Sequence, residues 1–304
     1  MEPKISVIIV VFNGANTLLH AIESVMGESY NNIELIVVDG GSTDGTLAIL
    51  RGYKANNFIW KSEPDKGIYD AMNKGLKMAT GEWVYFLGAD DTFCNKNVLK
   101  EIFINQINLE CDFLYGNVYS LALKKKYDGE FNEEKILFQN ICHQSIFYKR
   151  RIHEKVGFYN EKYKTFSDWD FNIRCFYNPE IKRKYLDITI ANFAAGGIGS
   201  NNPDLEFLRN YLFSKNLWAL NIKGVKKLYD IAFYDRWWRL LRSLKLPKKD
   251  SIFNYVGKEN IPLEITKMYA FQRHIPFKLL WIGFFSKTFM FFSYFSNIIR
   301  MTLK

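Results

Sequence analysis

Strand and helix patterns alternate through the first part of this sequence, and no other feature restricts its fold as much. Unbroken apolar runs are typical of strands covered on both faces, and apolar residues at helical spacing are typical of helices packed on a sheet. The strand patterns lie at 5–12, 33–38, 58–61 and 83–87, and the helical patterns lie at 17–26, 46–53 and 68–78. This alternation predicts an α/β protein with βαβ units and a mostly parallel sheet flanked by helices.

The pattern changes after residue 112. Shorter strand patterns and one clear helix at 168–177 follow, and then a loop at 194–203 that is rich in glycine and asparagine. Beyond this loop the sequence is helical in character, basic and aromatic. We therefore expect a folded domain over 1–203, whose two halves are 1–112 and 113–203, and a helical C-terminal region over 204–304.

The charge of the chain is divided at almost the same place. Residues 1–204 carry 23 Lys and Arg against 26 Asp and Glu, a net charge of −3, whereas residues 205–304 carry 18 against 6, a net charge of +12. The basic part also holds 22 of the 51 aromatic residues. With 48% hydrophobic residues, the 304-residue chain can bury a core. That composition excludes a wholly disordered protein and a small disulfide-stapled module.

The most hydrophobic stretch, 277–299, is interrupted by Lys287 and flanked by Lys278 and Arg300. Apolar residues favour membrane insertion by about 0.3–0.6 kcal/mol each, and a central lysine opposes it by about 2.5–3.5 kcal/mol. The net free energy of spanning a membrane is therefore expected to be near zero. We expect the region 204–304 to lie on an anionic membrane surface, with its cations toward the headgroups. Packing against the first domain is the alternative. Nucleic acid is not an expected partner, because no nucleic-acid motif is present.

The cysteines indicate a reducing compartment. They are Cys94, Cys111, Cys142 and Cys175. Their wide spacing matches no metal or redox motif, which is typical of unpaired thiols in an intracellular protein. The apolar run near the N-terminus lacks the flanking features of a signal peptide and is better explained as a strand. We expect a cytoplasmic protein, and the family resemblance described below implies that it is peripheral on the inner face of a bacterial cell membrane.

Acidic and amide side chains follow the predicted strands at the points where they end. They are Asn13, Asp39, the segment from Glu63 to Asp65, and the pair Asp90 and Asp91. Ligands of open α/β sheets bind beyond the carboxyl ends of the strands, so these side chains are expected to converge. The G-x-G-x-x-G, P-loop, G-x-S-x-G and H-E-x-x-H patterns are absent. An acidic edge can bind an anionic nucleotide through a divalent metal, for which the Asp pair offers hard oxygen ligands.

Two parts of the sequence, SVIIVVFN…AIESV…NIELIVVDGGSTDGT and DKGIYDAMNKGL…ATGEWVYFLGADD, resemble the family 2 glycosyltransferases. That family has the GT-A fold, and the resemblance covers roughly residues 4–200. The runs HQS at 143–145 and GGIGS at 196–200 are similar to those of a bacterial surface-polysaccharide subgroup. The resemblance implies a nucleotide-sugar-binding half over 1–112 and an acceptor half over 113–203.

The resemblance also implies roles for individual residues. Asp39 would contact the nucleotide base, and Asp168 in FSDWDF would be the catalytic base. Ala89 stands at the first position of the D-x-D-type motif, so Asp91, with Asp90, would hold Mn²⁺ or Mg²⁺. The expected donor-binding residues are Phe12, Asn13, Asp39, Asp65, Asp70, Asn73 and Asp90. The acceptor-side candidates are His143, Trp169, Asp170 and Gly197. A histidine in the position of His143 is more often structural, and its alternative role is to help the metal or the acceptor.

Structural alternatives stay open for several of these residues. Asp39, before two glycines, is also suited to beginning a turn. The pair Asp90–Asp91 and the base candidate Asp168 are suited to helix N-caps. Asp70 and Asn73, one helical turn apart, touch either the donor or only solvent.

The resemblance implies a metal-dependent, inverting hexosyltransferase that uses a UDP-sugar. The expected reaction moves a single hexose, glucose or galactose, onto a polyprenyl-diphosphate-linked saccharide in O-antigen or other surface-polysaccharide biosynthesis. Phe233 stands where the glutamine of the Q-x-x-R-W motif of processive synthases would precede Arg236 and Trp237, which favours addition of one sugar. The alternative is a non-catalytic membrane- or nucleic-acid-binding adaptor on a degenerate transferase fold.

Overall fold

The computed structural model of the chain describes residues 2–104, 110–133, 135–137, 139–194, 204, 206 and 207. They fall within one unit, Met1–Phe207. The strands are β1 (Ile5–Val11), β2 (Ile33–Asp39), β3 (Phe58–Ser62), β4 (Trp83–Gly88), β5 (Thr92–Phe93), β6 (Phe113–Ser120), β7 (Lys125–Tyr127), β8 (Ile146–Lys149) and β9 (Arg183–Phe193). The helices are α1 (Leu18–Met26), α2 (Thr46–Gly52), α3 (Ile68–Met78), α4 (Val98–Phe103), α5 (Ile152–Val156) and α6 (Ser167–Phe176), with 3₁₀ turns at Lys135–Leu137 and His143–Ser145.

The first half of the described chain forms the parallel part of the sheet. β1 lies between β2 and β4, and β3 lies on the outer side of β2, all in parallel pairing. Val11 therefore stands opposite Asp39, so that β1 and β2 end side by side. This arrangement follows from the unbroken apolar runs, since a parallel strand covered by helices is buried on both faces. The predicted α/β class, with a mostly parallel sheet flanked by helices, is confirmed.

The second half continues the same sheet with mixed pairing. The strand order is β3-β2-β1-β4-β8-β6-β9-β5, and β7 pairs with β6 off this path. β8 runs antiparallel to both β4 and β6, so β6 points in the same direction as β4. β9 is parallel to β6, and β5 pairs with β9 at the far edge. The ends of β4 and β6 consequently face the same edge as those of β1 and β2.

Alternating side chains of each strand enter two separate cores. Ile5, Val7 and Ile9 of β1 pack on the face covered by α1, where Leu18 and Ile22 are buried. On the opposite face, Ile8 of β1 packs in the core that also contains residues of α3 and α6. Successive side chains of a β-strand point to opposite faces of the sheet. Because both faces of this sheet are covered by cores, nearly every position of β1 is apolar.

Some features depart from the sequence-based expectations. α6 begins at Ser167, one residue before the predicted start, and the two-residue strand β5 was not predicted. The four cysteines are free thiols, as expected. The expected membrane-binding stretch 277–299 and Gly197 lie outside the described residues. Among the described helices, none combines the length and the apolar character needed to cross a membrane.

Candidate active site

The loops after β1 and β2 are tied together at the carboxyl edge of the sheet. Gly40 N–H donates to the carbonyl of Val11 at 2.9 Å. Asn13 has a φ of +53°, and its backbone N–H donates to Ser42 Oγ at 2.7 Å. Its side-chain oxygen accepts from Thr43 N–H at 2.9 Å. Asn13 thus acts as the connection between the two loops, since asparagine tolerates this left-handed backbone conformation better than most residues do.

Asp39 is fully buried, and its two carboxylate oxygens have different surroundings. Oδ2 accepts hydrogen bonds from Gly41 N–H at 3.1 Å, Ser42 N–H at 3.0 Å and Ser62 Oγ at 2.6 Å. Oδ1 is buried, and no residue that the structure describes donates a hydrogen bond to it. A buried, unpaired carboxylate oxygen is costly unless a ligand supplies the missing donor. The turn-forming role of Asp39 accounts for Oδ2 alone and supplies no donor to Oδ1.

Phe12 and Asp65 lie around Gly40, next to Asp39. A Cβ atom at Gly40 would overlap Asp65 Oδ2 and lie 3.5 Å from the ring of Phe12. The Phe12 side chain is 64% exposed, which is unusual for a large aromatic group beside a buried strand. Asp65 Oδ1 accepts from Gly67 N–H at 2.9 Å. The edge thus presents an exposed ring, a carboxylate and an unpaired acceptor within one small area.

Asp70 and Asn73 make their contacts within the protein. Asp70 Oδ2 accepts from Lys66 N–H at 2.9 Å and pairs with Lys74 at 3.0 Å. The buried Asn73 amide donates to the carbonyl of Tyr159 and to Glu161 Oε1, both at 3.0 Å, and accepts from Tyr159 N–H at 3.1 Å. These bonds attach α3 to the segment before α6, so Asn73 joins the two halves of the domain.

Asp90 and Asp91 differ strongly in burial. Asp90 is exposed, whereas Asp91 is buried. Asp91 Oδ1 accepts from Ala194 N–H at 2.8 Å, and its Oδ2 accepts from the Gln144 amide. Burial raises the pKa of Asp91, although these two hydrogen bonds oppose the rise. Neither residue caps a helix, since the next helix, α4, begins only at Val98.

The geometry of this pair fits a divalent cation. A Cβ atom at Gly88 would overlap Asp91 Oδ2 and lie 3.1 Å from Asp90 Oδ1, so oxygens of both carboxylates face the space above this glycine. Mg²⁺ and similar hard cations are often held by one or two carboxylates together with phosphates of the substrate. Within the described ranges, no group of three or more His, Cys, Asp or Glu side chains forms a complete protein-only metal site. The donor set is therefore suited to a metal shared with a diphosphate.

Asp168 lies in the first turn of α6 and is held from two directions. Its Oδ1 lies 2.7 Å from the Tyr69 hydroxyl of α3, and its Oδ2 accepts from the Asn140 amide at 2.7 Å. Burial and the Asp168 charge raise the pKa of Tyr69 well above its usual value, so the phenol stays protonated and can donate. Asp168 makes no capping bond, because α6 begins at Ser167 without a side-chain cap. Each carboxylate oxygen keeps a free lone pair for a substrate proton.

The remaining acceptor-side candidates have distinct positions. His143 Nδ1 is 4.0 Å from Asp168 Oδ2, so this histidine lies beside the candidate base. Trp169 donates its indole N–H to the carbonyl of Ile136 at 2.7 Å and stacks on Phe207. Asp170 pairs with Arg174 at 2.9 Å along the same helix, and burial raises its pKa. Asp170 is thus engaged in an ion pair, whereas His143 faces the site.

Three supporting residues were not identified as site residues from the sequence. Tyr69 and Asn140 hold Asp168, and Gln144 holds Asp91. Tyr69 lies within the DKGIYDAMNKGL run and Gln144 within HQS, so both were visible as parts of motifs without a specific role. No sequence motif marks Asn140, because its hydrogen bond to Asp168 depends only on which helix packs beside it.

The candidate site thus consists of Asp39 with an unpaired oxygen, the pair Asp90 and Asp91 at a strand end, and Asp168, which is held separately by Tyr69 and Asn140. Solved structures share the fold. S. aureus TarS 1–349 in complex with UDP-GlcNAc matches 72% of this chain and 67% of its own with a TM-score of 0.62 and 21% identity. The mannosyltransferase PcManGT from Pyrobaculum calidifontis, in complex with GDP-Man and Mn²⁺, matches 70% and 61% with a TM-score of 0.52 and 17% identity.

The sequence comparisons agree with the structural ones. The family model described as glycosyl transferase family 2 matches residues 6–157. A PGL/p-HBAD biosynthesis glycosyltransferase from Mycobacterium bovis is 38% identical over 222 residues, covering 71% of this chain and 86% of that protein. An uncharacterized glycosyltransferase from Mycobacterium tuberculosis is 30% identical over 187 residues, covering 57% of this chain and 68% of that protein. The chain therefore belongs to glycosyl transferase family 2.

Proposed function

We propose that this glycosyltransferase moves a single hexose, glucose or galactose, from a UDP-sugar to a saccharide carried on a polyprenyl diphosphate, with inversion at the anomeric carbon. The observation that carries the proposal is the unpaired Oδ1 of Asp39 at the carboxyl edge of the sheet, next to the exposed ring of Phe12. A uracil base presents both an imide N–H for the carboxylate and a flat face for the ring.

Asp168 is the proposed catalytic base. It would accept the proton of the acceptor hydroxyl while that oxygen attacks the anomeric carbon, and the sugar–diphosphate bond breaks with its electrons going to the UDP leaving group. The Tyr69 and Asn140 bonds hold one oxygen each, which fixes the direction of the carboxylate. A single carboxylate is sufficient, because an inverting displacement needs no covalent intermediate.

Asp91 and Asp90 are the proposed ligands of Mn²⁺ or Mg²⁺. When bound, such a cation would neutralise charge on the diphosphate of the donor and its leaving group. Gln144 and Ala194 N–H hold the Asp91 carboxylate in a fixed orientation at the end of β4. The relative PcManGT, whose structure contains GDP-Man and Mn²⁺, supports a metal in this fold.

The acceptor and location are proposed from the chemistry of the whole chain. The basic, aromatic region 204–304 would hold the enzyme on the cytoplasmic face of the membrane, where a lipid-diphosphate acceptor is anchored. The first relative is named a PGL/p-HBAD biosynthesis glycosyltransferase. We propose O-antigen or another surface polysaccharide as the product class because the runs HQS at 143–145 and GGIGS at 196–200 resemble those of a bacterial surface-polysaccharide subgroup. Trp169, beside the base, is the proposed contact of the acceptor sugar.

A donor screen tests the function. The full-length protein is incubated with a lipid-diphosphate-linked saccharide and UDP-Glc, UDP-Gal, UDP-GlcNAc or GDP-Man, with Mn²⁺ or with a chelator. The expected result is transfer of one sugar from UDP-Glc or UDP-Gal, with loss of transfer on chelation. Transfer from GDP-Man alone would contradict the proposal that the donor carries uracil. Unchanged transfer in the presence of the chelator would contradict the proposed metal dependence.

A further inference from the structure

The turn that joins β6 to β7 carries an apolar and basic surface that the proposed reaction does not use. Residues 121–126, called the hairpin tip below, read Leu-Ala-Leu-Lys-Lys-Lys, and all six are exposed. Leu121 and Leu123 are 51% and 50% exposed. Two exposed leucines, separated by one alanine and followed by three lysines, form a small amphipathic patch rather than an isolated apolar residue.

The hairpin tip leaves the sheet at the same edge as the candidate site. Ser120 pairs with Phe193 of β9, and Leu121 N–H donates to the Phe193 carbonyl at 3.0 Å. The next residue of that strand end, Ala194, donates its N–H to Asp91. β9 also pairs with Thr92, so the tip begins two strands away from β5, a lateral distance of about 10 Å.

The charges of the tip favour an anionic bilayer as its partner. Lys126 pairs with Asp187, whereas in the part of the chain that the structure describes Lys124 and Lys125 form no ion pair. The tip itself contains no acidic residue. Cations beside apolar side chains are suited to an interface in which leucines enter the acyl boundary and lysines stay at the headgroups. A nucleic-acid surface would use the lysines but would leave the leucines without a partner.

We propose that the hairpin tip docks on an anionic lipid surface, with Leu121 and Leu123 in the interface and Lys124 and Lys125 at the headgroups. This contact is separate from the one proposed for 204–304, because it lies in the catalytic unit itself. It would place the acidic edge near the bilayer, where a lipid-linked acceptor could reach Asp168. Only that last consequence rests on the proposed function.

Hydrogen–deuterium exchange of the full chain locates the contact. The chain is measured alone, with neutral phosphatidylcholine vesicles, and with vesicles containing about 30% phosphatidylglycerol. The expected result is slower exchange in peptides covering 120–125 with the anionic vesicles only. The proposal is overturned if the chain binds these vesicles while the tip exchanges unchanged. It is also overturned if the tip is protected without lipid in proportion to protein concentration, which would indicate self-association.

Matched variants measure the contribution of each part of the tip. Leu121→Ser with Leu123→Ser is expected to lower partitioning onto anionic vesicles by about tenfold or more. Leu19→Ser with Ile59→Ser, which are 41% and 42% exposed elsewhere on the domain, should leave it unchanged. Lys124→Gln with Lys125→Gln is expected to lower partitioning onto anionic vesicles by about fivefold for each lysine replaced. The matched control, Lys54→Gln with Lys100→Gln, should leave the partitioning unchanged.

The vesicle experiments contain neither donor nor acceptor, so they separate this proposal from the proposed function. Tip variants that keep vesicle binding would overturn the docking role whatever the enzyme transfers. If docking holds but no donor supports transfer, the proposed function fails and the lipid contact stands. Equal loss of binding in the tip variants and in their matched controls would show a general effect of surface polarity and would also overturn the proposal.

Discussion

The proposed donor half of the domain, up to residue 112, and the proposed acceptor half, from 113 onward, place the carboxylates of the candidate site in different ways. Asp39 ends a strand, and two of its three hydrogen bonds come from the loop that directly follows it. Asp168 lies on a helix and is held by Tyr69 and Asn140, which are 99 and 28 residues away in the chain.

This difference has a physical consequence. A strand end in a parallel sheet positions a side chain through the backbone ladder, so Asp39 needs few distant contacts. Asp91 differs from Asp39, because Gln144 and Ala194 of the second half hold its carboxylate. The acceptor side depends on how α3 and α6 pack against each other, and Tyr69 and Asn73 provide bonds across that junction. We therefore expect donor binding to survive changes that loosen the junction, while turnover does not. The predictions below test this separation.

The largest effect is expected for Asp168→Asn. Removing the proton acceptor should lower kcat by about 10²–10⁴-fold, because general base catalysis typically contributes that much. Affinity for UDP should stay unchanged, since Asp168 belongs to the acceptor half. Steady-state kinetics and calorimetric titration with UDP measure the two quantities. Turnover near that of the wild type would refute the assignment of Asp168 as the catalytic base. The control is Glu180→Gln, which changes an exposed carboxylate in the same half.

The next effect concerns stability and lies wholly in the donor half. Burial raises the pKa of Glu28 to about 7, partly offset by N–H groups of Leu99 and Val98, and among the described residues its Oε1 has no hydrogen-bond partner. The native state therefore keeps this proton between the unfolded pKa of 4.5 and about 7, where the unfolded chain has lost it. Stability contributed by the neutral form is present below pH 4.5 and is lost as the pH rises through 7.

Glu28→Gln should abolish that loss. Above pH 7 the variant is expected to be more stable than the wild type by up to about 3 kcal/mol, and near pH 4 the two should be equal. Thermal unfolding at several pH values measures the difference, with Glu23→Gln on the exposed face of α1 as the control. Catalytic constants should not change. A parallel pH dependence in both proteins would rule out Glu28 as the source.

Asp39→Asn is expected to weaken UDP binding by about ten- to a hundredfold, the range for a lost hydrogen bond to a charged group. The asparagine amide has one acceptor oxygen, whereas the carboxylate has two. Its NH₂ group must therefore face either the N–H donors of the loop or the N–H of the uracil base. Calorimetric titration with UDP measures the loss, and Glu82→Gln, at the opposite edge of the sheet, is the control. A loss of kcat at saturating donor with unchanged affinity would contradict the donor role of Asp39.

The smallest effect is expected for Tyr69→Phe, which removes the hydroxyl that connects the halves. One hydroxyl proton serves either Asp168 or the carbonyl of Thr165, both at 2.7 Å, so we expect a loss of about tenfold in kcat or less. The KM for the donor should not change.

Tyr30→Phe is the matched control for that variant. It removes a hydroxyl that donates to the carbonyl of Pro3 at 2.6 Å, far from the site. Its kcat should equal that of the wild type. Should Tyr69→Phe behave in the same way as Tyr30→Phe, the junction between the halves would have no role in positioning the base.

Much of the donor side was predictable from the sequence. The apolar runs predicted the strands to within one or two residues, and the residues after them, Asn13, Asp39 and Asp90–Asp91, were identified because parallel strands end at one edge. Asn140 was not identified, since nothing in its neighbourhood of the chain marks it. The engagement of Asp170 with Arg174 was likewise visible only once α6 was placed.

The sequence by itself determined the α/β class, the mostly parallel pairing of the first strands and the side chains at their carboxyl ends, because periodicity and strand ends are local properties. The tertiary structure decided which atoms of those side chains are left for a ligand. Oδ1 of Asp39 is unpaired while Oδ2 is saturated, and the two oxygens of Asp168 are held from opposite halves. Such distinctions depend on contacts between segments far apart in the chain, which no local pattern contains.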